Sequence, residues 1–107
     1  RKNKFIKRLR SIMYKPLPNC LTIRKSFIHG LGLFATEKIE EGTDLGKSHY
    51  ATDDEFIRTP LGGFVNRSND PNVKIKQGKS SRYFHAITTK TINAGDELTG
   101  GYKENWK

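Results

Sequence analysis

Three short stretches of this chain hold residues whose types and spacing could do chemistry: HGLGLFA at 29–35, NRSNDPN at 66–72 and INAGDELTGGY at 92–102. The glycines of the first lack a Cβ and let backbone approach another group closely. Gly30 to Ala35 also fits the loose Gly-x-Gly-x-x-Ala pattern of dinucleotide folds, which needs a following helix with its N-terminus at a pyrophosphate. Only ATEKIEE stands between that pattern and Gly42, so it reads instead as a glycine turn between strands. The second stretch is rich in turn formers, and its asparagines carry a donor and an acceptor on one side chain. Asn66-Arg67-Ser68 is formally a glycosylation sequon, but no apolar signal block precedes it in the chain. His29, His49 and His85 are scattered, with no second ligand at metal spacing, and read as surface or half-buried side chains.

The elements that must position these stretches are short. CLTIRKSF and SRYFHAITT read as strands, GLGLFAT as a short strand after a glycine turn, and DLGKSHY as a further strand. NVKIKQG alternates cleanly, with Val73 and Ile75 on one face and Lys74 and Lys76 on the other. EKIEEGTD is a turn or one loose helical turn closed by Gly42. DDEFIRTP is an acidic connection, LGGFV leads into the polar stretch, and INAGDELT turns at Asn93–Asp96. There is no internal repeat and no low-complexity tract. Roughly seven short strands with hardly any helix make a mainly β domain. Ahead of them, Phe5, Ile6, Leu9, Ile12 and Met13 stand at roughly helical spacing in a basic segment, a short amphipathic helix or an extended arm. Pro16 and Pro18 break any helix there. The expected organisation is a basic N-terminal arm, 1–15, and a single domain, 16–107.

Composition agrees with this. A chain of 107 residues suits one domain, and 34% apolar residues with ten glycines leave it a thin core. The net charge of +9 is uneven: residues 1–10 carry six basic side chains and no acid, whereas 37–59 carry seven acids against three bases. A basic arm of this kind is solvated charge or the contact for an anionic partner. No apolar run approaches the roughly 20 residues of a membrane span, so no membrane partner is expected. The one cysteine, Cys20, allows neither an intramolecular disulfide nor a multi-cysteine zinc cluster, which fits a reducing, cytoplasmic or otherwise intracellular setting.

Taken together, the three stretches resemble the SET domain of protein lysine methyltransferases. His29 to Ala35 is similar to the family's His-Gly-x-Gly-x-Phe-Ala, Asn66 to Asn72 to its Asn-His-Ser-x-x-Pro-Asn, and Ile92 to Tyr102 to its Ile-x-x-Gly-Glu-Glu-Leu-Thr-x-x-Tyr. The likeness covers about residues 20 to 107, and its force lies in the order of the motifs. It implies a SET-like β-clip of short strands, with the polar segment threaded under the C-terminal loop in a knot-like arrangement. It also implies S-adenosylmethionine as cofactor and a lysine-containing protein as substrate, with no metal.

The resemblance also implies roles. His29, Gly30, Leu31 and Gly32 bring backbone to the cofactor. Asn66 bonds its amino-acid end with Arg67 beside it, and Trp106 covers its adenine or else anchors the C-terminus in the core. Tyr102 lines the channel where the lysine nitrogen meets the methyl group, and Tyr50 adds a second wall. Asp53, Asp54 and Glu55, a dense acidic run in the region the family uses for substrate, draw the substrate in. Some positions depart from the pattern: Arg67 stands where histidine is usual, Leu31 where an aromatic is common, and Gly100-Gly101 where bulkier residues are common. The insert that helps build the substrate groove is short. Two other readings remain at this point, a non-catalytic SET-like binding module and a basic nucleic-acid-binding β domain.

Overall fold

The computed structural model describes residues 17–79 and 81–101, so the expected arm, 1–15, lies outside the described residues. β1 (Leu21–Lys25) and β2 (Leu31–Ala35) form an antiparallel hairpin, Leu21 opposite Ala35 and Lys25 opposite Leu31. β3 (Asp44–Ala51) pairs with β4 (Phe56–Arg58), and a short helix, α1 (Pro60–Phe64), leads into β5 (Asn66–Arg67). β6 (Val73–Gln77), β7 (Tyr83–Thr88) and β8 (Glu97–Gly100) complete a sheet ordered β1-β2-β8-β6-β7-β3-β4, with β5 joined to β8. The mainly β expectation holds. Among the described residues there is one strand more than roughly seven, because part of the acidic connection pairs as β4.

Two local features differ from the sequence reading. PLGGF, at Pro60–Phe64, is helical despite its two glycines, which disfavour helix, and Val65 leaves it in extended conformation. The turn is assembled by its start: Thr59 Oγ1 accepts from Gly62 N at 3.4 Å, Pro60 occupies the first turn, and Gly63 N donates to the Thr59 carbonyl at 2.8 Å. β3 is not a simple alternating strand. Its pairing with β7 slips between Asp44 and Gly46 and again between Lys47 and His49, two bulges. Gly46 supplies the first, at φ +116°, with its N–H donating to Asp44 Oδ1 at 2.9 Å.

The apolar residues that alternate along the strands meet in one core of Leu21, Leu33, Ala35, Ile39, Leu45, Leu61, Val73, Ile75, Ala86, Ile92 and Leu98. Ile39 and Ile92 sit in two matching turns and exchange both backbone hydrogen bonds at 2.8 Å, clamping EKIEEG to KTINAG. The first of these is therefore a turn, not helix. Cys20 packs partly buried against this core, and desolvation raises its thiol pKa, as suits a packing residue.

Candidate functional site

The polar stretch 66–72 grips β8. Asn66 and Arg67 pair in parallel with Thr99 and Gly100. Ser68 N donates to the Gly100 carbonyl at 2.9 Å, and Asn72 N to that of Thr99 at 3.1 Å. Asn72 then uses its side chain as a strand neighbour would: Nδ2 donates to the Glu97 carbonyl at 3.0 Å, and Oδ1 accepts from Thr99 N at 2.8 Å. These bonds satisfy backbone that has no regular partner. At the exposed end, the hydrogen bond from Lys90 to Asp70 (2.8 Å) holds the Asp70 carboxyl below its usual range.

Asn66 is the centre of a denser cluster. Its Nδ2 lies 2.9 Å from Ser26 Oγ, 2.9 Å from Glu97 Oε2, 3.1 Å from the His29 carbonyl and 3.2 Å from that of Leu31. Carbonyls and a carboxylate only accept, so the nitrogen must face them. Ser26 Oγ donates its own proton to Glu97 Oε2 at 2.7 Å and accepts from Ile28 N and His29 N at 2.8 and 3.2 Å. The turn between β1 and β2 is thus tied to β5 and β8 by one amide. Gly32 makes room for it: a Cβ there would run into the Glu97 carboxylate and approach Asn66 Nδ2 to 3.1 Å. Among the described residues nothing donates to Asn66 Oδ1, the amide's acceptor end.

Beside this cluster opens a cleft of about 810 Å³. The β1–β2 turn supplies His29, Gly30 and Leu31. β5 supplies Asn66 and Arg67, Phe64 and Val65 come from the end of α1, and Gly100 and Gly101 close β8. The far wall is His49 with Phe56 and Arg58. Five of the sequence-predicted residues therefore converge: His29, Gly30, Leu31, Asn66 and Arg67. Gly32 lies beneath the cluster rather than on the wall. Tyr50 turns to the other side of the sheet, its ring 4.7 Å from that of Tyr83. Asp53, Asp54 and Glu55 form an exposed turn before β4, with Asp53 bound to Arg82 at 3.0 Å, and do not line this cleft. Tyr102 and Trp106 lie outside the described residues.

His49 is not singled out by its sequence context, yet it is only 3% exposed and forms part of the wall. Its ring stacks on Phe56 at 4.9 Å and 16°. Ser48 Oγ donates its single proton to the Phe84 carbonyl at 3.1 Å, so at 2.8 Å it accepts from His49 Nδ1. Nδ1 is therefore the protonated nitrogen on the Ser48 side of the ring. Simple alternation from the buried Leu45 also reaches His49, but the two bulges interrupt it at Lys47, which turns out while His49 stays in.

No protein-family model matches the sequence, and no curated protein matches it closely. Solved structures do match. A candidate histone methyltransferase of Plasmodium falciparum superposes with a TM-score of 0.65 over 80% of this chain and 99% of that one, at 21% identity. The methyltransferase domain of human PR domain-containing protein 2 also gives 0.65, over 81% of this chain and 79% of that one, at 18% identity. This chain has a SET-domain-like fold. A third SET-like match lies within a Polycomb Repressive Complex 2 from Chaetomium thermophilum, a humanized mutant bound to an inhibitor, at TM-score 0.61 and 23% identity; it covers 79% of this chain but 15% of that one. The described residues of the SET-like region include no helix long and apolar enough to cross a membrane, and no group of three or more His, Cys, Asp or Glu side chains that could hold a metal.

Proposed function

We propose that the cleft binds S-adenosylmethionine and that the protein transfers its methyl group to a lysine side chain of an intracellular protein. The observation that carries this reading is the orientation of Asn66. With Nδ2 engaged by Ser26, Glu97 and two carbonyls, Oδ1 is left to accept from an ammonium, and the Arg67 guanidinium on the same wall suits a carboxylate. An acceptor and a cation side by side fit the zwitterionic amino-acid end of this cofactor. The apolar wall of Phe64 and Val65 suits its less polar parts. Arg67, which departs from the family's usual histidine, is therefore a working substitute. The grip of the 66–72 segment on β8 supports the knot-like threading that the resemblance implies.

When bound, the cofactor supplies an electrophilic methyl on a sulfonium. The chain's contribution is alignment, which can supply several kcal/mol of barrier reduction, and a dry channel. A lysine ammonium, with its free pKa of about 10.4, loses its proton more readily where water is excluded beside a cation. Aromatic walls hold such a group without pairing it to a carboxylate. The resemblance assigns the orienting role to Tyr102, whose phenol can hydrogen-bond a neutral amine.

Titration calorimetry with S-adenosylmethionine tests the cofactor, and a methylation assay on lysine-rich protein tests the transfer. Tyr102→Phe is expected to keep cofactor affinity within a few-fold while slowing transfer on the order of a hundredfold, the cost of a misplacement of about an ångström. Full activity in that variant removes Tyr102 from its role. Saturable cofactor binding without turnover on any lysine substrate selects the non-catalytic SET-like module instead.

A further inference from the structure

The outer face of the sheet, behind the cleft, is not used by methyl transfer. Its composition follows from register. Across β6, β7 and β3 one row reads Lys76, His85, Lys47; the row on one side reads Lys74, Ile87, Asp44; on the other side Tyr83 stands opposite Tyr50. The bulges of β3 create this face. Strict alternation from Asp44 would send Lys47 inward, whereas the two slips bring Asp44, Lys47 and Tyr50 out together. Lys47, Lys74 and Lys76 are exposed, and among the described residues none of them is ion-paired to a carboxylate. Asp44 is already engaged by His85 at 3.2 Å. A depression of about 530 Å³ opens here between Lys76, Lys79, His85 and Asp44. On the same face of the sheet the half-buried rings of Tyr50 and Tyr83 meet at 4.7 Å, and Lys47 Nζ lies 4.0 Å from the centre of the Tyr83 ring.

We propose that this face binds single-stranded nucleic acid, its phosphates on Lys47, Lys74 and Lys76 and a base against the Tyr50–Tyr83 pair. The lysines alone would suit any polyanion. The rings decide between polyanions, because bases stack on aromatic side chains of an open sheet while cations beside them track the backbone. An acidic peptide would engage the lysines and leave the rings idle. A phosphate that draws the Lys47 ammonium toward it also uncovers the Tyr83 ring for a base. The site lies on the opposite face of β3 from His49, so binding here does not occupy the methyl-transfer cleft.

The test is fluorescence anisotropy of the full chain with a labelled oligouridine of about 15 nucleotides, titrated at several salt concentrations. Removing one lysine that neutralises a phosphate of a single strand lowers the log–log salt slope by about 0.7. The Lys74→Gln/Lys76→Gln double variant is therefore expected to reduce the slope by about 1.4 and low-salt affinity about tenfold. Tyr83→Leu is expected to weaken binding about fivefold or more with the slope unchanged. An unchanged slope in the double variant overturns the proposal and assigns the binding to the basic segment 1–10. Polyglutamate that binds more tightly than the oligonucleotide overturns it in favour of an acidic protein partner. A Tyr83→Leu variant that melts like the parent and binds the oligonucleotide equally well overturns it too.

Discussion

Asn66 and Asp53 both stand in polar runs that look like loops, but their bonds reach over different distances. Asn66 reaches Ser26, His29, Leu31 and Glu97, the nearest of them 31 residues away. The turn at Asp53 is made mostly of its own neighbours: Thr52 Oγ1 accepts from Asp54 N at 3.3 Å and Glu55 N at 2.8 Å, and donates to the Glu55 carbonyl at 3.1 Å. The bond from Asp53 to the distant Arg82 is exposed at both ends. A polar group bonded across the chain fixes where elements meet, and losing it removes a donor from a part-buried carboxylate. A polar group bonded locally shapes a turn that water can also satisfy.

This contrast can be broken by substitution. Asn66→Ala should have the largest effect. It leaves the part-buried Glu97 carboxylate with Ser26 as its remaining donor, which should cost about 2 to 3 kcal/mol and weaken S-adenosylmethionine binding about tenfold or more; denaturant unfolding and calorimetry read the two losses. Gly32→Ala should come next, at about 1 to 3 kcal/mol, because the added methyl displaces the Glu97 carboxylate from the same cluster. A Gly32→Ala protein as stable as the parent would mean that Glu97 has another place to go.

The smallest effect is expected from changing Asp53, Asp54 and Glu55 together to Asn, Asn and Gln. These charges are exposed, so stability should move by no more than about 0.5 kcal/mol. If they attract a basic substrate, KM should rise at low salt and return toward the parent value as salt screens the attraction. A stability loss as large as that of Asn66→Ala would erase the difference between the two regions. Salt-independent kinetics would leave the acidic turn without a part in substrate capture.

Much of the β framework is legible in the residues alone. Val73 and Ile75 alternate with Lys74 and Lys76, and they lie on opposite faces of β6 as that pattern requires. The glycine turn before β2, the turn at Asn93–Asp96 and the polar segment at 66–72 are also legible, because turn chemistry is local. The face of Lys47 is not legible: alternation would put it with Leu45 and His49, and the two bulges that turn it out are defined only when β7 lies alongside. Alternation from Asp44 already sends Tyr50 outward; what the sequence hides is that Tyr83 comes to lie opposite it. α1 is hidden because its two glycines argue against helix and only the Thr59 start argues for it.

The sequence by itself determined the strand-forming runs, the places where the chain turns, and the three motifs in the order that marks a SET-like domain. Those are matters of side-chain period and backbone preference within a few residues. Tertiary structure alone decided that Asn66 turns its nitrogen inward and its oxygen out, that the Glu97 carboxylate comes to lie against the bare Gly32, and that Lys47 and His49 part to opposite faces of β3. Each of these depends on a partner dozens of residues away, and hydrogen-bond direction and strand register exist only once that partner has arrived.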